Sequence, residues 1–234
     1  MRQSYLKRKK QPRRSDMDSI DHLVFSKRLR KPKGEVTLFS EAAEFIQLPR
    51  PAPNSSLETG KEVLFVQGST LLRTADFEKS IKKHDSDPAY AVKQYMALFG
   101  LEYDEDYIEK VIKESTILIR KQKNKFNRPR PIQIAPYFSM ELSVLGSKTT
   151  KTPSYPSGHS AQSRLIAEIY AEKYPEHAAN LYKAAEECGL GRVSAGFHFR
   201  SDHKAGIYLA KRLFKALKSS HKKRRVNYDQ VFKF

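Results

Sequence analysis

Residues 153–160 read Pro-Ser-Tyr-Pro-Ser-Gly-His-Ser and lie directly before a segment of helical periodicity. Pro156 and Gly158 interrupt regular backbone structure, and Ser157 is a residue type that caps helix N-termini. The apolar residues that follow recur at helical spacing. Backbone N–H groups at the start of such a helix lack partners and favour an anion. The stretch therefore predicts an anion-binding helix start that includes Ser157, Gly158 and His159.

A second stretch, downstream, places another histidine near a carboxylate. His198 and Asp202 are four residues apart, so on a helix they share one face. The carboxylate can then hold one ring nitrogen and leave the other aimed at a substrate. Arg192 lies a short turn upstream and supplies a cation. Two helical segments separate this stretch from His159.

A third stretch, upstream of both, is strongly basic and closes a long helical segment. Lys121 and Arg128 are seven residues apart, which corresponds to two helical turns. Pro129 should end the helix and leave Arg128 at its C-terminal edge. Taken alone, these two cations do not indicate a functional site, because the whole segment is basic. They indicate one only together with the other two stretches, in this order along the chain.

In chain order, the three stretches read Lys-x6-Arg-Pro, Pro-Ser-Gly-His and Arg-x5-His-x3-Asp. This combination resembles the phosphatidic acid phosphatase type 2 superfamily. That group includes soluble class A non-specific acid phosphatases, integral-membrane lipid phosphatases and vanadium-dependent haloperoxidases. The chain is most similar to the soluble class A acid phosphatases, and the resemblance covers about residues 107–217. It implies an all-α, single-domain helical bundle of the acid phosphatase or vanadium haloperoxidase type.

The resemblance also implies catalytic roles. His198 would attack phosphorus, Asp202 would orient it, and His159 would protonate the leaving group and then assist water. Cationic side chains and backbone N–H groups would surround the phosphate in place of a metal. The implied phosphate-binding residues are Lys121, Arg128, Ser157, Gly158 and Arg192. One departure is visible, because Gly191 replaces the serine that the family usually has before this arginine, and a hydrogen-bond donor to phosphate would then be missing.

The implied function is metal-independent hydrolysis of phosphate monoesters or diphosphates through a phosphohistidine intermediate. Two alternatives stay open: a peripheral lipid-phosphate phosphatase, and a nucleic-acid-binding or interaction protein with a vestigial site. No cofactor is expected. Vanadate is expected to act as an inhibitor, with a haloperoxidase cofactor role as the lesser alternative. The expected partner is a phosphorylated small-molecule or lipid substrate.

The composition is consistent with an anionic partner but does not indicate which class of anion it is. The chain has 234 residues, a formal charge of +18 and a pI near 9.8, so its surface attracts phosphorylated metabolites, nucleic acid or acidic membranes. It lacks an apolar run of the roughly 18 residues that a membrane-spanning helix needs. Its basic N-terminus is not followed by the apolar segment of a secretory signal. We therefore expect a cytoplasmic protein without a transmembrane segment.

Three regions are predicted along the chain: a basic, disordered tail over residues 1–34, a helical phosphatase domain over 35–220, and a basic tail over 221–234. A short ordered piece is expected within the first tail, around Ile20 to Phe25. Weak contact with polyanions is expected from both tails. Residues 129–152 should form an irregular rim near the site. Helices are predicted over residues 35–48, 58–72, 74–83, 87–99, 104–126, 161–174, 176–188 and 201–220.

Overall fold

The computed structural model describes residues 20–231, and within this range all regular secondary structure is helical, without β-strands. The all-α prediction is confirmed. None of the described helices is long and apolar enough to span a membrane. Eight α-helices are described: α1 (Leu57–Leu71), α2 (Ala75–Ser86), α3 (Tyr90–Leu98), α4 (Glu105–Phe126), α5 (Pro131–Ile134), α6 (Gly158–Lys173), α7 (Ala178–Ser194) and α8 (Arg200–Val231). Short 3₁₀ turns are formed by Glu41–Phe45, Ala135–Phe138 and Pro175–His177.

Local capping chemistry sets the ends of the helices that carry the site. The Asp104 carboxylate accepts a hydrogen bond from the Tyr107 N–H at 2.9 Å and starts α4. The same helix ends at Phe126, because Asn127 adopts a left-handed conformation with φ of 44°. The helix therefore stops before Pro129, the residue predicted to end it.

Three predicted helices have clearly wrong boundaries. The helix predicted to end at Cys188 continues to Ser194, and the other two differences have local reasons. Residues 35–48 form only the 3₁₀ turn, because the backbone N–H groups of Thr37 and Leu38 donate to the buried Glu114 carboxylate at 2.7 Å and are not available to a helix. The last helix does not end at Ser220 but continues to Val231. No proline or glycine interrupts the sequence there, and lysine and arginine are good helix formers. Residues 221–231 are thus part of α8.

Helix α6 lies at the centre of the bundle and packs against both α7 and α8. Its buried Leu165 belongs to a core cluster shared with α8, and the adjacent Ile166 belongs to a second cluster shared with α7. Gly206 permits the close approach of α8 to the start of α6, because a Cβ there would lie 2.7 Å from the Ser157 carbonyl oxygen. The Ser157 N–H also donates to the Asp202 carbonyl at 3.0 Å. These contacts bring the second and third sequence motifs together.

Residues 20–34, predicted as part of a tail, pack on the helical body. Ile20 is fully buried and belongs to a cluster with Val63, Ile134 and Phe199. The Phe25 N–H donates to the Asn127 carbonyl at 2.9 Å. The predicted boundary at residue 34 therefore does not match the packing. Residues 1–19 and 232–234, the rest of the two predicted tails, lie outside the described residues.

Candidate active site

A cavity of about 750 Å³ opens where the three sequence motifs meet. Its deeper part, which we call the inner site, is formed by residues from the end of α4, the start of α6, the end of α7 and the segments that lead into α5 and α8. The inner site consists of Lys123, Arg130, Gly158, His159, Arg192 and His198. Exposed residues of the N-terminal segment, of α4 and of the loop before α6 complete the wall.

Hydrogen bonds define the tautomer of His198. The Arg130 Nη1 group lies 3.3 Å from His198 Nε2, and a guanidinium can only donate. Nε2 must therefore accept, and the ring proton lies on Nδ1, which is 3.3 Å from the Asp202 carboxylate. The ring is buried and its Nε2 lone pair faces the inner site. This arrangement is that of an oriented nucleophile.

Asp202 is fully buried and saturated with donors. Its carboxylate accepts hydrogen bonds from Arg128 at 2.7 Å, from the Ser154 hydroxyl, and from the Phe199 N–H at 2.9 Å. Burial opposes ionisation of Asp202, but the Arg128 guanidinium and the bonds from His198 and Ser154 outweigh it and hold its pKa below the ordinary value. A charged Asp202 can therefore stabilise positive charge that develops on the His198 ring.

The two cations beside His198 are fixed by main-chain carbonyls. Arg130 donates to the carbonyls of Thr152, at 2.7 Å, and Phe197, at 2.8 Å, while the Lys123 ammonium donates to the Pro153 carbonyl. Burial is the main cause that lowers the pKa of Arg130 to about 10 and that of Lys123 well below its ordinary value. Crowded, desolvated cations of this kind gain stability from a bound anion.

His159 and Arg192 face the cavity from α6 and α7, and both contact Asp85 at the end of α2. Arg192 Nη1 donates to the Asp85 carboxylate, and its Nη2 donates to the Thr149 hydroxyl at 2.6 Å. The His159 Nε2 lies 3.2 Å from the Asp85 carbonyl oxygen and must donate to it. In the charged form of His159, the additional proton would therefore lie on Nδ1. Burial and the Arg192 guanidinium lower the pKa of His159 to about 3.

Five of the eight predicted site residues lie together at this cavity or directly behind it: His198, His159, Asp202, Gly158 and Arg192. Three do not have the predicted placement. The Ser157 hydroxyl does not face the cavity but caps α6, accepting from the Ser160 N–H at 3.4 Å and from the Ser160 hydroxyl at 2.9 Å. Only the first N–H groups of α6 remain available to an anion.

The two cations assigned from the first motif require a correction. Lys121 is exposed and its ammonium pairs with Glu44, away from the cavity. Arg128 is buried, but its guanidinium pairs with Asp202 at 2.7 Å and Glu62 at 3.1 Å and does not line the cavity. Arg128 therefore supports the carboxylate behind His198. The cavity positions belong to Lys123 and Arg130, each two residues further along the chain.

Gly191, the one visible departure from the family pattern, lies outside the cavity lining. A Cβ added there would meet Ile81 of α2 at 3.5 Å, an ordinary van der Waals contact. The Cβ of a serine at this position would therefore point toward a buried apolar residue. Gly191 itself therefore does not form part of the inner site.

Sequence reasoning missed four contributors: Lys123, Arg130, Ser154 and Asp85. A usable signal existed for the first two, because Lys123, Arg130 and Pro131 repeat the Lys-x6-Arg-Pro spacing. Ser154 lies beside the anion-binding motif, where its hydroxyl bridges Asp202 and the His198 ring at 3.4 Å. Asp85 carries no local signal, since its role depends on contacts with residues far along the chain.

The comparisons with known proteins agree with this geometry. Residues 111–225 match the model of the PAP2 superfamily. The chain carries a PAP2 superfamily region. The predicted resemblance, which covered about residues 107–217, is confirmed.

Among curated relatives, the chain is 28% identical over 173 residues to an acid phosphatase of Zymomonas mobilis, covering 69% of this chain and 64% of that protein. It is 27% identical over 181 residues to a non-specific acid phosphatase of Providencia stuartii, covering 73% of each. The fold resembles a crystal structure of a bacterial vanadium-dependent chloroperoxidase, with a TM-score of 0.55 and 12% identity over 80% of this chain and 53% of that chain. That similarity concerns the fold alone and confirms the predicted bundle type.

Removing the N-terminal segment is expected to have two different effects, depending on where the cut is made. Deletion of residues 1–19 should leave turnover of a small phosphate ester within about twofold, because the described lining of the cavity begins at Phe25 and the basic composition of residues 1–19 predicts only screened, long-range attraction. Deletion of residues 1–34 should lower kcat/KM by about tenfold or more, because Phe25 lines the cavity and Ile20 fills a core cluster.

The measurement is a comparison of both truncations with the full chain, with circular dichroism as the control for folding. Equal activity of all three proteins would contradict the assignment of residues 20–34 to the cavity wall.

Proposed function

We propose that the protein is a phosphatase that hydrolyses phosphate monoesters, or diphosphates, through a phosphohistidine at His198. The observation that carries this proposal is the His198 ring, whose Nδ1 is held by Asp202 while its Nε2 faces a cation-lined cavity beside Arg130. Membership of the PAP2 superfamily and the similarity to acid phosphatases support the same reaction class.

In the first step, the His198 Nε2 lone pair forms a bond to phosphorus as the bond from phosphorus to the leaving oxygen breaks. Lys123, Arg130 and Arg192 stabilise the charge on the other phosphoryl oxygens, together with the N–H groups that begin α6. The leaving oxygen takes a proton from charged His159. The positive charge on the phosphorylated ring is balanced by Asp202.

In the second step, a water molecule attacks phosphorus and the phosphorus–nitrogen bond breaks. His159, now neutral, accepts the proton that the water loses. Inorganic phosphate leaves, and His198 returns to its neutral form with Nδ1 protonated toward Asp202. The cationic side chains stabilise the negative charge of the phosphoryl group in both steps. We therefore propose that the reaction needs no metal ion.

Phosphate release from a soluble aryl phosphate is the direct test. We expect release that chelator leaves unchanged and that vanadate inhibits, because vanadate adopts the five-coordinate geometry of the transition state. A lipid phosphate in detergent micelles, assayed in parallel, separates a soluble from a lipid substrate. Absence of release from every phosphate ester, or a rate lost in chelator and restored by magnesium, would overturn the proposal.

The pH dependence of the reaction should follow the charge on His159. Burial and Arg192 keep this ring neutral in the free protein, so the charged form becomes more populated as the pH falls. His198 stays neutral through the same range, because burial and Arg130 lower its pKa well below the ordinary value. We therefore expect kcat/KM for an alkyl phosphate to rise as the pH is lowered from about 8 to about 5.

The His159→Ala variant is the control, because it removes the acid and leaves the ionisation of the substrate unchanged. The ratio of wild-type to variant kcat/KM should increase toward acidic pH and reach about 10²-fold for an alkyl leaving group, with a smaller ratio for an aryl one. A ratio that is independent of pH and of leaving group would contradict the role of His159 as general acid.

A further inference from the structure

Beyond the inner site, five exposed cations line the outer part of the same cavity. They come from three separate segments: the N-terminal segment, α4 and the loop before α6. We call this set the rim: Arg28, Arg30, Arg120, Lys148 and Lys151. The rim is distinct from the cations that surround His198, all of which are buried.

The charge of the rim is not compensated by the described part of the protein. No described aspartate or glutamate lines the cavity. None of the five rim side chains forms an ion pair with a described carboxylate. On other faces exposed lysines are paired, as in Lys93 with Glu105 and Lys173 with Glu102. Uncompensated cations around a concave site raise the local concentration of anions.

The size of the cavity also exceeds what one phosphate requires. A volume of about 750 Å³ falls within the roughly 300–1,000 Å³ typical of pockets for drug-sized ligands. With one phosphoryl group on the inner site, the rest of the substrate extends past the rim. A neutral substrate body would leave these five cations without a partner.

We propose that the rim binds a second phosphate of the substrate, so that the preferred substrates are small molecules carrying two or more phosphates. This inference rests on the proposed phosphatase function, since it assigns the inner site to the phosphate that is cleaved. A compact polyanion fits better than a nucleic acid strand. The rim cations converge on one cavity from three segments and do not extend along one helix face.

The test compares hexane-1,6-diol bisphosphate with hexyl phosphate and 6-hydroxyhexyl phosphate. The bisphosphate differs from the others only in its distal group, so its preference in kcat/KM, after correction for two equivalent ends, measures the rim. Exposed ion pairs each change an equilibrium by about two- to fivefold, so several together should give about tenfold or more. We expect this preference to fall as salt is added.

The rim variant carries Arg28→Gln, Arg120→Gln and Lys151→Gln, one change from each segment. The matched control carries Lys61→Gln, Lys110→Gln and Lys183→Gln, three exposed positions that do not line the cavity. We expect the rim variant to lose most of the bisphosphate preference and to keep its rate on hexyl phosphate within about threefold. The control variant should keep both the bisphosphate preference and the rate on hexyl phosphate. This comparison separates the effect of charge at the rim from the effect of the net charge of the protein.

Binding distinguishes failure of this inference from failure of the proposed function. If hexyl phosphate is not hydrolysed but calorimetry shows rim-dependent binding of the bisphosphate, the phosphatase proposal fails and the rim assignment stands. If hexyl phosphate is hydrolysed and the bisphosphate has no advantage, the rim proposal is overturned. It is also overturned if single-stranded RNA inhibits through the rim while the bisphosphate does not, which would assign the rim to nucleic acid.

Discussion

Replacing His198 with alanine is expected to abolish the phosphoenzyme and to lower kcat by at least about 10⁴-fold. His198 is the only ring in the inner site whose protonation is fixed on both sides, by Asp202 at Nδ1 and by Arg130 at Nε2. Loss of the proposed nucleophile leaves the cationic cavity intact, so phosphate and vanadate should still bind.

Rapid quenching during turnover measures the intermediate. The wild-type protein should carry phosphate that is stable in alkali and released in acid, as expected of a phosphorus–nitrogen bond. The exposed His22, outside the cavity, provides a His22→Ala control that should behave as wild type. A phosphoenzyme that persists in a folded His198→Ala protein would show that another residue is the nucleophile.

Much of the fold could be predicted from the sequence because its signals are local. Helix α4, Glu105–Phe126, matches the helix predicted over 104–126, and α6 begins after Ser157, which the sequence identifies as a capping residue type. The same reasoning failed for residues 35–40, where the apolar pattern is compatible with a helix. There the buried Glu114 carboxylate, far away in sequence, binds the backbone N–H groups that a helix would need.

The second and third motifs bring Gly158, His159, Arg192 and His198 to the inner site because their geometry depends on contacts within a few residues of the sequence, although Ser157 caps α6 and does not face the cavity. Gly158 and His159 begin one helix, and His198 and Asp202 lie four residues apart. Contacts that join distant segments could not be predicted in this way. Asp85 contacts Arg192 across 107 positions of the sequence, and no local pattern marks it.

The first motif shows where spacing alone is ambiguous. Two overlapping segments satisfy Lys-x6-Arg-Pro, one from Lys121 and one from Lys123. The buried face of α4 distinguishes them, because Lys123 follows Ile119 by four residues and shares its face, whereas Lys121 follows by two and points away. Both Ile119 and Lys123 are buried, and Lys121 is exposed. Burial of a face depends on the tertiary packing, which the spacing does not contain.

The two readings of the Lys-x6-Arg-Pro motif, one from Lys121 and one from Lys123, make opposite predictions for catalysis. Arg130→Met and Lys123→Met are each expected to lower kcat/KM by about 10²- to 10³-fold, because each removes a preorganised cation beside the reacting phosphoryl group. Lys121→Met should stay within about fivefold, since its exposed pair with Glu44 contributes at most about 1 kcal/mol. Methionine keeps most of the apolar part of a lysine or arginine side chain, although it is shorter than both, and removes the charge in all three variants.

Arg128→Met separates support of the site from contact with the substrate. The Arg128 guanidinium neutralises the buried Asp202 and the largely buried Glu62, so its loss should lower the free energy of unfolding by about 3–5 kcal/mol. The measurement is thermal unfolding with and without inorganic phosphate. We expect Arg128→Met to lower the midpoint while phosphate still stabilises the protein, and Arg130→Met to lose the stabilisation by phosphate. The opposite result would be that phosphate no longer stabilises Lys121→Met and Arg128→Met. In that case Lys121 and Arg128 would be the phosphate-binding cations, as first predicted from the sequence, and the cavity lined by Lys123 and Arg130 would not be the phosphate site.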